Sequence, residues 1–166
     1  PYFAYLLKNS PYSTLTDITD TQKEYIEQLG FDTWKYFRDS LNHEHNYLIP
    51  DNLQLVPTPV LAPRTSPTNI SLSLLSVLSA YDCSFTTLPQ AISRWKETFK
   101  TLNQLERFQG HFLNWYDTRS LVPLSPRYVS SVDSGNFIGH LYVLREACKE
   151  ILSKSLIPTE FFHKIF

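Results

Sequence analysis

The chain has 166 residues, of which 42% are hydrophobic and 19% are charged, a composition that suits one folded domain or part of a larger one. Its formal net charge is −1 and its 15 Lys and Arg residues are scattered, which disfavours a nucleic-acid-binding surface, because such surfaces cluster basic residues. With only four Gly and two widely separated Cys, the sequence predicts neither a Gly-rich nucleotide loop nor a disulfide scaffold, and no cofactor is expected.

The first 20 residues predict an irregular tail that precedes the folded domain. Pro11 and several Ser and Thr residues disfavour regular structure there, whereas Tyr2–Leu7 is apolar, as the end of a preceding membrane segment would be. The absence of Met favours a piece of a longer protein. The domain itself is predicted to run from residue 21 to residue 166.

A first helix is predicted from Thr21 to about Ser40. Thr21-Gln-Lys-Glu24 has the form of a capping box, and Gly30 is a position at which the helix could kink or split. Apolar residues follow at helical spacing: Tyr25, Ile26, Leu29, Trp34, Phe37 and Leu41.

Residues 42–67 predict a long loop, because five prolines exclude a regular helix. Loops of this length inside a compact domain are often functional. His43 and His45 could be read as metal ligands, but no further ligand cluster accompanies them, so a solvated loop tip is favoured and no metal site is predicted.

Two helices of different character follow this loop. Ser66-Pro67-Thr68 predicts the start of a helix that is apolar on nearly every side with small Ser spacers, as in a buried helix. Thr87 and Pro89 begin an amphipathic outer helix. Its predicted inner stripe is Leu88, Ile92, Trp95, Phe99, Leu102 and Leu105.

Beyond Gly110 the pattern changes to a short β-hairpin excursion near residues 111–124. Asp133 or Ser134 then caps a fourth long helix, and Pro158 opens a final short one. The fourth helix has a predicted inner stripe of Phe137, Ile138, Leu141, Leu144, Cys148, Ile151 and Leu152.

These elements predict an all-α fold, an incomplete α/α barrel of helical hairpins with the small β-hairpin inserted. A full barrel of six helix pairs needs on the order of 300 residues, more than this chain supplies.

Polar and aromatic residues gather at two places. Arg64 and Asn69 flank the start of the buried helix, where they either cap it or form the polar rim of a cavity. The segment Gly110–Arg119 combines rings, an amide and a guanidinium, as a saccharide site does, although its rings could equally plug the core. Its candidate substrate-binding residues are Asn114, Trp115, Tyr116 and Arg119.

Asp117 and Asp133 are the candidate catalytic carboxylates, since glycosidic bond chemistry uses two carboxyl groups that flank the bond. A structural role as a helix N-cap explains Asp133 equally well. Asn136 lies one turn further on and is a candidate substrate-binding residue.

At these residues the sequence resembles the glycoamylase-like region of bacterial cyclic β-1,2-glucan synthases. The resemblance covers about residues 30–150. The matching segments are Tyr47-Leu-Ile-Pro-Asp-Asn52, Arg64-Thr-Ser-Pro-Thr-Asn-Ile70, Gly110-His-Phe-Leu-Asn-Trp-Tyr-Asp-Thr-Arg119 and Pro126-Arg-Tyr-Val-Ser-Ser-Val-Asp-Ser-Gly-Asn136.

The resemblance implies the first part of a module that processes or cyclises β-1,2-glucan by transglycosylation, within a large inner-membrane protein. It implies β-1,2-glucan and the other modules of the same polypeptide as partners, and a location on the cytoplasmic side. By the matched motifs, the resemblance implies that eight residues face the glucan: Arg64, Asn69, Trp115, Tyr116, Asp117, Arg119, Asp133 and Asn136. The alternative is a non-catalytic carbohydrate-binding or scaffolding module. A half-barrel exposes the flanks of its inner helices, so self-association is also expected.

Overall fold

The computed structural model describes residues 18–153. The apolar segment Tyr2–Leu7 and the final helix expected from Pro158 lie outside the described residues, and the predicted domain boundary after residue 20 stays a prediction. The chain divides into two compact units, Pro1–Thr33 and Trp34–Phe166. Across residues 18–153, the structure contains no helix with the length and apolarity that a membrane span requires.

The first helix, α1, spans Asp20–Ser40 and continues through Gly30, so the predicted split is wrong. Its capping box lies two residues earlier than predicted. The Thr19 N–H donates to Gln22 Oε1 at 2.9 Å, and the Gln22 N–H donates to Thr19 Oγ1 at 3.3 Å. Thr19, which immediately precedes α1, is therefore the cap.

Only part of the predicted apolar stripe of α1 is buried. Trp34 and Leu41 have 4% and 3% of their surface exposed, whereas Tyr25, Ile26 and Leu29 are each more than half exposed. The helical period was predicted correctly, and the apolar residues of its first half are exposed among the described residues.

The Pro-rich segment after α1 is an ordered loop with three very short strands. It begins with a 3₁₀ turn, His43–His45, and continues through β1 (Leu53–Gln54), β2 (Val60–Leu61) and β3 (Arg64–Thr65). Strands β1 and β2 pair antiparallel. His45 is 1% exposed, so the prediction of a solvated loop tip is wrong for this residue.

Helices α2 (Pro67–Asp82) and α3 (Leu88–Leu102) begin where the sequence predicts. Ser66 caps α2 by accepting the Asn69 N–H at 3.2 Å, and Trp95 Nε1 of α3 donates to Leu74 O of α2 at 3.0 Å.

Helix α2 is buried along most of its length, as expected, and the predicted inner stripe of α3 is buried in part, at Trp95, Leu102 and Leu105. Ile92 and Phe99 are 51% and 39% exposed, while Ala91, Trp95 and Thr98 are buried.

Two small antiparallel ribbons follow α3. Strands β4 (Arg107–Phe108) and β5 (His111–Phe112) form a hairpin whose two turn residues, Gln109 and Gly110, both have positive φ, as a type I′ turn requires.

The second ribbon pairs β6 (Tyr116–Asp117) with β3, with Arg64 opposite Asp117. A bridge between Tyr116 and Pro123 closes the excursion predicted near residues 111–124.

The last described helix, α4 (Ser131–Ser153), packs against α2. Phe137 and Leu144 of its predicted stripe are buried, whereas Ile138 and Leu152 are exposed. The central core consists of Leu48, Ile70, Leu102, Leu105, Leu113, Tyr116 and Phe137. Mostly helical structure with small antiparallel hairpins confirms the predicted class.

Candidate functional site

The first turns of α2 and α4 are joined by the carboxylate of Asp133. Thr68 Oγ1 donates to Asp133 Oδ1 at 2.6 Å, and Asn136 Nδ2 donates to Thr68 Oγ1 at 3.3 Å. Helix N-termini carry partial positive charge, so both helices stabilise the ionised form of this carboxyl group.

Asp133 is not the N-cap of α4, contrary to one sequence interpretation. Ser130 Oγ accepts the Asp133 N–H at 3.1 Å, so Ser130 is the cap and Asp133 lies in the first helical turn. Burial raises the pKa of Asp133, but hydrogen bonds from Ser130, Thr68 and Ser66 outweigh it, and the pKa lies below its usual value. Asp133 is therefore a hydrogen-bonded carboxylate at the junction of α2 and α4.

Asn114 connects this carboxylate to two aromatic residues. In the amide orientation that satisfies both polar atoms, its Nδ2 donates to Asp133 Oδ2 at 3.2 Å. Its Oδ1 accepts from Trp115 Nε1 at 2.6 Å and from the Tyr128 hydroxyl at 2.8 Å. Asn114 is 5% exposed, so its role is to hold Trp115 and Tyr128 beside Asp133.

Arg64 and Asn69 are held by Asp51, a residue that the sequence analysis did not single out. Arg64 Nη2 donates to Asp51 Oδ2 at 3.0 Å, and Asn69 Nδ2 donates to Asp51 Oδ1 at 3.0 Å. The Arg64 guanidinium also lies over the Trp115 ring, 5.1 Å from its centroid. Asp51 lies within Tyr47–Asn52, one of the segments that carry the family resemblance, and its place in that segment could have identified it as a candidate site residue.

Asp117 and Arg119 form a second group with different contacts. Asp117 Oδ1 accepts the N–H groups of Arg119 at 2.9 Å and of Ser120 at 2.8 Å, so it closes a turn at the end of β6. Burial raises the pKa of Asp117. The hydrogen bonds from Ser120 and Arg119 and the positive charge of Arg119 outweigh this effect, so the pKa lies below its usual value. Arg119 pairs with Glu44 at 2.6 Å.

The turn that contains Asp117 is fixed to the segment after α1. His45 Nδ1 and Thr118 Oγ1 are 2.8 Å apart, and Asn46 Nδ2 donates to Thr118 O at 2.9 Å. Burial lowers the pKa of His45, so its ring is neutral at neutral pH. Within residues 18–153, no cluster of His, Cys, Asp and Glu is large enough to hold a metal ion.

Tyr116 lies in the core rather than on a sugar-facing surface. Its side chain is fully buried, and its hydroxyl accepts the Leu113 N–H at 2.6 Å and donates to Glu106 O at 2.7 Å. These contacts account for a tyrosine at this position without any ligand.

The predicted site therefore consists of two groups linked through the pairing of β3 with β6. The first group holds Asp133, Arg64, Asn69, Asn114, Trp115 and Asn136. It offers rings, amides, a guanidinium and one carboxylate, which suits the hydroxyl groups and apolar faces of a saccharide. Lowered pKa values keep Asp133 and Asp117 ionised at neutral pH, which excludes both as proton donors there and leaves the role of base or nucleophile.

No protein-family model matches the chain. The protein named cyclic beta-(1,2)-glucan synthase NdvB from Rhizobium meliloti (strain 1021) is 44% identical to it over 133 residues. The match covers 80% of this chain and 5% of NdvB, so the chain spans only a small part of that relative's length.

Among solved structures, a glucoamylase-like protein from Bacteroides fragilis NCTC 9343 superposes with a TM-score of 0.62. The superposition covers 78% of this chain and 31% of that one, at 15% identity. The likeness shows the fold alone, and it confirms part of an α/α barrel.

Proposed function

We propose that this chain, which belongs to the cyclic β-(1,2)-glucan synthase family, is part of a module that processes or cyclises β-1,2-glucan by transglycosylation. The observation that carries the proposal is the Asp133 carboxylate. It lies where two helix N-termini meet, within a network that includes Trp115 and Asn136.

In this proposal the rings and the guanidinium bind the glucan, and Asp133 serves as its base or nucleophile. Asn114 holds the carboxylate and the Trp115 ring in one orientation, which places the substrate relative to the reacting group. Membrane attachment and a cytoplasmic location, expected from the resemblance, form part of the same proposal.

The test is Asp133→Asn in the full-length synthase that contains these residues. Asparagine keeps the size of the side chain but loses the charge, so glucan cyclisation should fall roughly 100-fold or more while the protein stays folded. Product rings would be quantified by mass spectrometry. Asp82→Asn is the matched control, since Asp82 is exposed at the last residue of α2. Wild-type cyclisation by Asp133→Asn would remove this residue from the mechanism.

The two candidate carboxylates should differ in the same assay. Asp117 already closes a turn, and an Asn side chain can accept the same N–H groups, so Asp117→Asn should reduce cyclisation less than tenfold if Asp117 is structural. A loss as large as that of Asp133→Asn would instead assign Asp117 to the chemistry.

The non-catalytic alternative makes a different prediction. A binding module would lose glucan affinity on Trp115→Ala, yet Asp133→Asn would leave turnover unchanged. The identity to NdvB favours the catalytic module over this alternative.

A further inference from the structure

A pocket of about 450 Å³ lies between the β4–β5 hairpin and residues 127–129. Leu113, which is buried, and Val129 contribute apolar surface. Two exposed rings line it as well, Phe108 at 58% and Tyr128 at 49% of their surface. Its volume falls within the range of about 300–1,000 Å³ that is usual for small-molecule sites.

Tyr128 connects this pocket to the candidate site. Its ring lines the pocket, while its hydroxyl donates to Asn114 Oδ1, and the Asn114 amide in turn binds Asp133. The backbone fixes the same contact, because the Asn114 N–H donates to Tyr128 O at 2.8 Å. Two consecutive hydrogen bonds, through the buried Asn114 amide, therefore connect Tyr128 of the pocket to the Asp133 carboxylate.

The walls of the pocket are held in place before any ligand binds. Arg107 and Phe112, which do not line the pocket themselves, contact each other across the β4–β5 hairpin, with the guanidinium 4.4 Å from the ring centroid. An ion pair between Arg127 and Glu106 joins the two sides of the pocket. Preformed walls lower the entropy that binding would otherwise cost.

The lining chemistry selects a neutral, polyhydroxylated ligand. Exposed rings offer flat surfaces for the apolar faces of sugars, and the carboxylate and guanidinium offer planar partners for hydroxyl groups. Because Glu106 and Arg127 neutralise each other, the pocket lacks the excess positive charge that a phosphorylated or carboxylated ligand would need.

We propose that this pocket is a remote subsite that binds glucosyl units of the same β-1,2-glucan chain whose reacting linkage lies against Asp133. The inference rests on the proposed function and adds a second place at which the glucan chain binds the protein. Phe108 and Tyr128 are the specificity-determining residues of this subsite, since a chain too short to reach them gains nothing from it.

The test compares Phe108→Ala with wild type in the full-length synthase, with linear β-1,2-glucooligosaccharides of increasing length as probes. For long chains the KM should rise about tenfold, which corresponds to a loss of about 1.4 kcal/mol of binding free energy. For the shortest chains that still react, KM and kcat should match wild type. Tyr142→Ala is the control, because Tyr142 is 60% exposed on α4 and does not line this pocket.

The outcomes distinguish failure of the subsite from failure of the proposed function. If wild type processes the oligosaccharides and Phe108→Ala shows the same KM at every length, the subsite is refuted and the proposed function stands. If wild type neither binds nor converts any of them, the proposed function fails and the subsite fails with it. A KM that rises equally for short and long chains would also refute a remote subsite.

Discussion

Arg64 and Asn69 come from different elements and share the carboxylate of Asp51. Arg64 in turn lies over the ring of Trp115, so the position of three candidate sugar-binding side chains depends on one acidic residue in a Pro-rich loop. Asp51 is thus a positioning residue for the proposed glucan surface.

Replacement of Asp51 by Ala should therefore affect function more than stability. Arg64 is about half exposed in this ion pair, but the Asp51 side chain is 20% exposed and also accepts a hydrogen bond from Asn69, so the variant should lose about 1–2 kcal/mol of unfolding free energy. Misplacement of Arg64 and Asn69 should lower glucan conversion roughly 10- to 100-fold. Asp39→Ala, which removes the exposed pair of Asp39 with Arg38, is the control. Equal conversion by the two variants would contradict the positioning role.

His45 makes the stability of the domain depend on pH. Burial lowers its pKa, with a further decrease from Arg119 that the carboxylates of Glu44 and Asp117 do not offset. The folded state therefore binds the proton more weakly than the unfolded chain does. The stabilisation is complete above the ordinary His pKa of about 6.5 and is lost as the pH falls below it.

Urea unfolding at two pH values measures this dependence. The free energy of unfolding should be lower at about pH 5.5 than at about pH 7.5. Both values lie above the range in which most carboxylates titrate. His45→Gln should reduce that difference and also cost about 1–3 kcal/mol, because it disturbs the buried hydrogen bond to Thr118. His43→Gln, at an exposed position, should behave as wild type. A wild-type pH dependence in His45→Gln would assign the effect to another group.

The place of some individual residues could be predicted from the sequence, whereas the burial of others could not. Asp133 and Trp115 could be predicted from their motifs, because segments that begin helices or follow strands bring polar groups to one end of a fold. Burial inside a loop could not be predicted, since it depends on contacts more than 70 residues away, as between His45 and Thr118. Tyr116 was expected to face the glucan, but it is buried in the core beside residues distant in sequence, such as Leu48 and Ile70.

At the scale of elements, two serine caps build the junction that holds Asp133. Ser66 begins α2, and Ser130 begins α4. Because Ser130 also supports the ionised form of Asp133, its loss should have two effects.

Ser130→Ala should lower the free energy of unfolding by about 1 kcal/mol, as the loss of an N-cap usually does. It should also move the pKa of Asp133 upward, which NMR titration of the carboxyl carbon can follow. Ser93→Ala, at an exposed position within α3, should change neither quantity. An unchanged Asp133 titration would show that Ser130 does not support the ionised form of Asp133.

The starts of α2 and α3 were predictable, whereas the buried faces of the helices were predicted only in part. Pro67 and Pro89 fix the first turns of α2 and α3 locally, through a preset φ and a missing N–H. Which face becomes buried depends on the neighbours that pack against it. Ile92 and Phe99 continue the apolar pattern of α3 but remain exposed because no described element covers them.

At the scale of the whole molecule, exposed apolar side chains accompany the incomplete barrel. The chain covers 31% of the glucoamylase-like structure it resembles. Helix α4 exposes half or more of the surface of Val132, Ile138, Tyr142, Val143 and Leu152.

The isolated 166-residue chain should therefore self-associate. Sedimentation velocity at increasing concentration should show a rising weight-average mass, and a double substitution of Ile138 and Val143 by Lys should reduce it. A similar pair of Lys substitutions at Ser79 and Asp82, which are exposed on α2, is the control. A monomer at every concentration would contradict the expectation.

The pairing of β3 with β6 also constrains when the candidate site can form. Arg64 and Asp117 are opposite each other although 53 positions separate them in the chain, with α2 and α3 in between. On the ribosome, the loop that carries Asp51 and Arg64 emerges well before its partner strand, and Asp133 emerges later still. Helices α2 and α3 can form from local contacts in that interval, but the proposed glucan surface must wait for the long-range pairing of β3 with β6. Assembly of the site is therefore among the last events in the folding of this segment, and nascent-chain force measurements at successive lengths beyond residue 133 can time it.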